Sequence, residues 1–231
     1  MKIGNTQVKL HFSILLLFVL LTWQCRAIDT NPLIGILSGA MLTVIVFSMA
    51  LLHEMAHVKA AERMGYHTDI VILWAFGGAA QIPGLLNASP KKEFIVAIAG
   101  PLSNIVVAII TFFVALLLGV DLLEVSNLYT LYLPFVMMYI FWYNTLMGLL
   151  NMIPAFPMDG GRVMRAILSI FMPALKATKI AVYIAKGFAI MFSATGIVLS
   201  ISWGAIIMPL IGIYIWRVAS MELKHRLNPY G

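Results

Sequence analysis

The sequence predicts an all-α polytopic membrane protein of six transmembrane helices, with a small β-strand and loop element between the second and third helices. Three observations predict it. Apolar residues make up 62% of the 231-residue chain and charged residues only 10%, against about 45–50% and about 25% in soluble domains. The apolar residues gather in runs close to the length of about 20 residues that a helix needs to cross a bilayer. The basic residues lie between those runs and do not cluster on one element, so the net charge of +6 is a topology signal and not a nucleic-acid footprint.

The spans fall in order at about 10–28, 33–59, 94–119, 129–151, 181–201 and 203–219. Lys2 and Lys9 precede a short apolar core in the first, as in a signal peptide, but no small-x-small cleavage site follows, which favours a retained helix. Only polar residues around Ser200 and Ser202 divide the last two spans, and the sixth contains Pro209, so a re-entrant pair is the alternative there. With the N-terminus in the cytoplasm, fourteen of the 15 Lys and Arg residues lie inside and Arg26 alone lies outside. Both termini are therefore expected to be cytoplasmic, with Asp29, Asp121 and Glu124 on the outer side. Between the second and third spans, Tyr66 to Lys92 is the largest non-helical piece, and no linker or repeat divides residues 1–231 into separate domains. Arg162 to Phe171 sets basic residues on an apolar helix that lies along the cytoplasmic surface. The single cysteine, Cys25, excludes an intrachain disulfide and a cysteine-based zinc cluster.

The second span carries the chemistry. His53 and His57 in "HEMAH" are four residues apart and share a helix face, with Glu54 beside it. This is the His-Glu-x-x-His pattern, in which two imidazoles hold zinc and the Glu is general base. Ionisable groups at membrane depth are costly and mark function. Catalytic zinc takes a third protein ligand and leaves one position open. A third His six residues after His57 is ruled out because Arg63 stands there, and no Glu lies between Glu62 and Glu93. His67 and Asp69 are within folding reach in the cytoplasmic stretch. Asp159, in "NMIPAFPMDGGR" at the cytoplasmic end of the fourth span, is the stronger candidate, because Pro154, Pro157, Gly160 and Gly161 predict an irregular loop that presents it.

Taken together, "HEMAH" and "NMIPAFPMDGG" resemble the two signatures of the site-2 protease family of intramembrane zinc metalloproteases. "FGGAAQ", Phe76 to Gln81, is similar to that family's Gly-Gly segment, and "EFIVAIAGPLSN", Glu93 to Asn104, to the start of its third helix. The resemblance covers about Leu51 to Arg165. It implies one zinc ion per chain on His53, His57 and Asp159, with Glu54 as the catalytic residue. It places Asn151 near the active site and makes the segment with Gly77 and Gly78 a strand edge that pairs with an unwound substrate. The partners it implies are the lipid bilayer and a membrane-anchored protein with a transmembrane helix, cleaved near the cytoplasmic face of a prokaryotic cell membrane. No nucleic acid, PDZ domain or CBS pair is expected within these residues. A prenyl-protein type protease would bring a Glu in place of Asp159. A zinc transporter would need ligands along a path through the bundle, and the outer halves of these helices hold no His.

Overall fold

Buried and exposed positions alternate at Thr6, Gln7 and Val8, the period of a strand, and the chain indeed begins with β-structure. The computed structural model describes residues 2–4, 6–28, 31–75, 77–85, 88–123, 132–203 and 207–227. Its elements are β1 (Lys2–Ile3), β2 (Thr6–Leu10), α1 (Ile14–Ile28), α2 (Pro32–Arg63), β3 (Ile70–Trp74), β4 (Gly77–Gln81), α3 (Pro90–Leu118), α4 (Tyr132–Asn151), α5 (Asp159–Phe171), α6 (Ala174–Trp203) and α7 (Ile207–Leu227). They form two compact units, Met1–Leu85 with Ala99–Gly148, and Leu86–Ile98 with Leu149–Gly231.

In the first unit, one sheet has the order β1-β2-β3-β4. β2 runs parallel to β3 with Gln7 opposite Ile70, and β4 returns antiparallel with Trp74 opposite Gly77. Val8, Val71 and Leu73 of the sheet bury against Ala50 and Val58 of α2. α2 starts at Asn31, whose side chain accepts from the Leu33 N–H, with Pro32 in the first turn where its missing donor costs nothing. Its 32 residues span about 48 Å, well beyond the roughly 30 Å hydrocarbon core, so it tilts or projects from the membrane. Leu21 and Cys25 of α1 pack on Leu42 and Val46 of α2, flanked by Phe135, Tyr139 and Tyr143 of α4.

In the second unit, Ala155 and Phe156 bury against Ala181, Val182 and Ala185 of α6 and Ala219 of α7. Arg165 of α5 is 3% exposed and pairs with Glu93 of α3 and, at 2.6 Å, with Glu222 of α7.

Several expectations need adjustment. Among the described residues, four helices, Pro32–Arg63, Pro90–Leu118, Leu133–Asn151 and Ala174–Val198, are long and apolar enough to cross a membrane, while the apolar part of α1, Ile14–Arg26, is shorter. The first span was expected from residue 10, yet Leu10 belongs to β2, because the five residues of that short strand merge in sequence into the apolar run behind them. The sheet is also larger than an element confined between α2 and α3, since β1 and β2 join it from the N-terminus. Arg165 is a buried ion-pair partner and not a surface cation. The division between the last two expected spans at residues 204–206, together with Asp29 and Glu124, lies outside the described residues.

Candidate metal centre

α2 turns His53, Glu54 and His57 inward, at 3%, 7% and 7% exposure. The two imidazole Nε2 atoms face each other at 3.2 Å. A tetrahedral zinc with bonds of about 2.0–2.1 Å holds two nitrogens about 3.3 Å apart, so this pair fits one ion without rearrangement. Space for the ion is kept by α3. A Cβ on Gly100 would lie 2.2 Å from His57 Nε2 and 2.6 Å from His53 Nε2, so any other residue there would crowd both imidazole nitrogens.

The far nitrogen of His53 is also held. Its Nδ1 meets Oδ1 of Asn104, one turn beyond Gly100 on α3. Asn104 Nδ2 donates to Asn144 Oδ1 at 2.8 Å, and Asn144 Nδ2 donates to the Ile140 carbonyl at 2.8 Å. Three helices of the first unit thus converge on one imidazole. Glu54 extends beside the sheet, where a Cβ on Gly78 would lie 2.5 Å from its Cγ. β4 can pass this close to the carboxylate only because Gly78 has no side chain. Gly77, at the start of the same end strand, has a φ of +140° that disfavours any other residue. Neither His67 nor Asp69 joins the histidine pair in a metal-sized group among the described residues.

In the second unit, Asn151 ends α4 and Asp159 begins α5. The intervening residues 152–158 form turns, with a cis Phe156–Pro157 bond. The irregular loop was expected, but Asp159 is the first residue of a helix and not part of the loop. There its negative charge is favoured by the helix dipole. Gly160 and Gly161 have no left-handed backbone to accommodate. Their role is close approach: a Cβ on Gly160 would lie 2.3 Å from the Ile153 carbonyl oxygen, and one on Gly161 would lie 2.7 Å from the Phe156 nitrogen. The first turn of α5 therefore rests directly on the loop backbone, which fixes Asp159.

Sequence reasoning missed Asn144 altogether and met Asn104 as the last residue of the Glu93–Asn104 segment, with no role assigned to it. The available signal was an amide in the middle of an apolar helix, which membrane helices retain when it hydrogen-bonds across to another helix.

An apolar helical chain in which a membrane-length helix holds two histidines at metal spacing, with a glutamate beside them, has the architecture of a membrane-embedded zinc metallopeptidase. The chain belongs to peptidase family M50, whose model matches residues 41–131 and 120–194. It is 32% identical to a zinc metalloprotease of Methanocaldococcus jannaschii over 96% of this chain and 59% of the relative. It is 28% identical to stage IV sporulation protein FB of Bacillus subtilis over 64% of this chain and 47% of the relative. The chain thus spans about half the length of these curated relatives. The solved structure of a site-2 protease from Methanocaldococcus jannaschii is similar, with a TM-score of 0.66, 28% identity, and coverage of 96% of this chain and 93% of that one.

Proposed function

We propose that the protein is an intramembrane zinc endopeptidase that hydrolyses peptide bonds in or near transmembrane segments of membrane-anchored proteins. The observation that carries this reading is the 3.2 Å approach of two buried imidazole nitrogens beside a buried glutamate in a membrane-length helix. One zinc ion per chain is held by His53, His57 and Asp159. Asp159 is favoured by its fixed position at the start of α5 and by the exclusion of His67 and Asp69.

When bound, zinc supplies Lewis acidity toward a water molecule and toward the scissile carbonyl. Glu54 accepts the proton that the attacking water loses and delivers it to the departing amine nitrogen. Burial of Glu54 keeps bulk water from competing for that proton. A substrate helix must unwind to expose its amide bond, and β4, the end strand of the sheet, offers backbone groups at Gly77 and Gly78 to replace the hydrogen bonds lost. Asn151, across the loop from Asp159 in sequence, has a substrate-positioning role.

We further propose six spans with both termini in the cytoplasm and the active site near the cytoplasmic face. Support comes from the sheet. β2 precedes α1, β3 follows α2, and the two strands are neighbours, so α1 and α2 together return the chain to the side it left. α1 and its flanking residues must then cross or re-enter with α2.

The test is zinc content by elemental analysis of detergent-purified protein, comparing wild type with His53→Ala and Asp159→Ala. Near one zinc per wild-type chain and clear loss in both variants is the expected result. Zinc that survives Asp159→Ala removes that residue from the site, and absence of zinc throughout overturns the peptidase reading.

A further inference from the structure

The hydrogen-bonded chain that ends on His53 has a direction, fixed at its far end. The Ile140 group is a backbone carbonyl and only accepts, so the Asn144 atom 2.8 Å from it is the donor Nδ2. Asn144 therefore turns Oδ1 toward Asn104, and the Asn104 atom 2.8 Å away is the donor Nδ2. Asn104 is left to present Oδ1, an acceptor, to His53. The proton between them must sit on His53 Nδ1. A neutral imidazole protonated there carries its lone pair on Nε2, the atom that faces His57. Asn104 and Asn144 are 1% and 0% exposed, so bulk solvent offers neither amide an alternative partner.

We infer that Asn104 is a positioning residue for His53 and that Asn144, anchored on the Ile140 carbonyl, sets the orientation of Asn104. Together they hold His53 in the Nδ1–H tautomer, with Nε2 ready for a metal before any metal arrives. The inference rests on the reading of His53 as a zinc ligand. Neither asparagine touches the reacting atoms. Their effect passes through the imidazole, whose misplacement in tautomer or ring angle weakens its hold on an ion.

The experiment uses the full chain in detergent, with nitrogen-15 histidine and the His53 signals assigned by their loss in His53→Gln. In the zinc-free wild type, His53 is expected to be protonated at Nδ1 and bare at Nε2. Zinc affinity, read by competition with a chelator, should fall about 10–100-fold in Asn104→Leu and by less in Asn144→Leu. Affinity should recover when Asn104→Asp is combined with Asn144→Leu, since a carboxylate at position 104 restores the acceptor. A zinc-free wild type protonated at Nε2 overturns the inference, as does an Asn104→Leu protein with wild-type affinity. If Asn104→Leu does not fold, the wild-type tautomer decides. The two readings fail separately. A wild type that takes up no zinc defeats the peptidase proposal while the tautomer still tests the hydrogen-bond chain; normal zinc uptake with an indifferent Asn104→Leu defeats only the present inference.

Discussion

Glu54 is the residue on which the proposed hydrolysis rests most sharply, because that reaction needs a proton taken up and returned at one place. Glu54→Gln keeps the shape and removes the base. Turnover should drop by at least about 100-fold, the low end for general acid–base catalysis, with zinc content unchanged; retained turnover would remove Glu54 from proton transfer. Gly78→Ala probes the same carboxylate from the sheet. The new Cβ would lie 2.5 Å from Glu54 Cγ and 2.7 Å from Leu73 Cδ2, so Glu54 or β4 must shift. A lower kcat at unchanged KM is expected, whereas a raised KM at unchanged kcat would assign Gly78 to substrate pairing alone. At this scale the shared face of His53 and His57 was legible, because four-residue spacing sets both on one side of a helix. Asn104 and Asn144 were not, because their meaning depends on a pairing between α3 and α4 that no local spacing encodes.

Among the elements, α5 holds the largest surprise. Arg162 to Phe171 read as a helix along the membrane surface, yet Arg165 points into the second unit and pairs with Glu93 and Glu222. Periodicity identified the helix but could not say whether a cation on it meets water or buried carboxylates. Removing one member of a buried ionic group leaves its partners uncompensated. Arg165→Met should therefore cost about 3–5 kcal/mol, read as a lower unfolding midpoint in detergent. Adding Glu93→Gln and Glu222→Gln should restore much of the loss, since neutral partners no longer need the guanidinium. An Arg165→Met protein as stable as wild type would make the group energetically idle. The long helices α2, α3, α4 and α6 were legible because each carries enough consecutive apolar residues. β2 was hidden because its alternation is short and its partner β3 follows two helices later.

For the molecule as a whole, the proposed orientation rests on the basic residues. With Arg165 taken out as a buried partner, the proposed six-span arrangement puts thirteen of the remaining Lys and Arg residues inside and one outside, still far from even. Reporter fusions at residue 1 and residue 231 should both report the cytoplasm, and a reporter inserted beside Asp121 should report the opposite side. Termini on opposite sides would mean an odd number of crossings and would overturn the six-span arrangement.

The parallel pairing of β2 with β3 also governs the order in which the protein can be made. Thr6 donates to the Thr68 carbonyl, its partner 62 residues later. A chain synthesised from its N-terminus releases β2 before β3 exists to receive it, and the two apolar helices α1 and α2 must be made first. β3 and β4, by contrast, can pair as soon as they emerge, since Trp74 faces Gly77, its neighbour three residues later. The sheet therefore grows backward, from β3 and β4 beside Glu54 toward strands translated earlier. α1 and α2 fill most of the loop that must close, which lowers the entropy lost in bringing so distant a strand home.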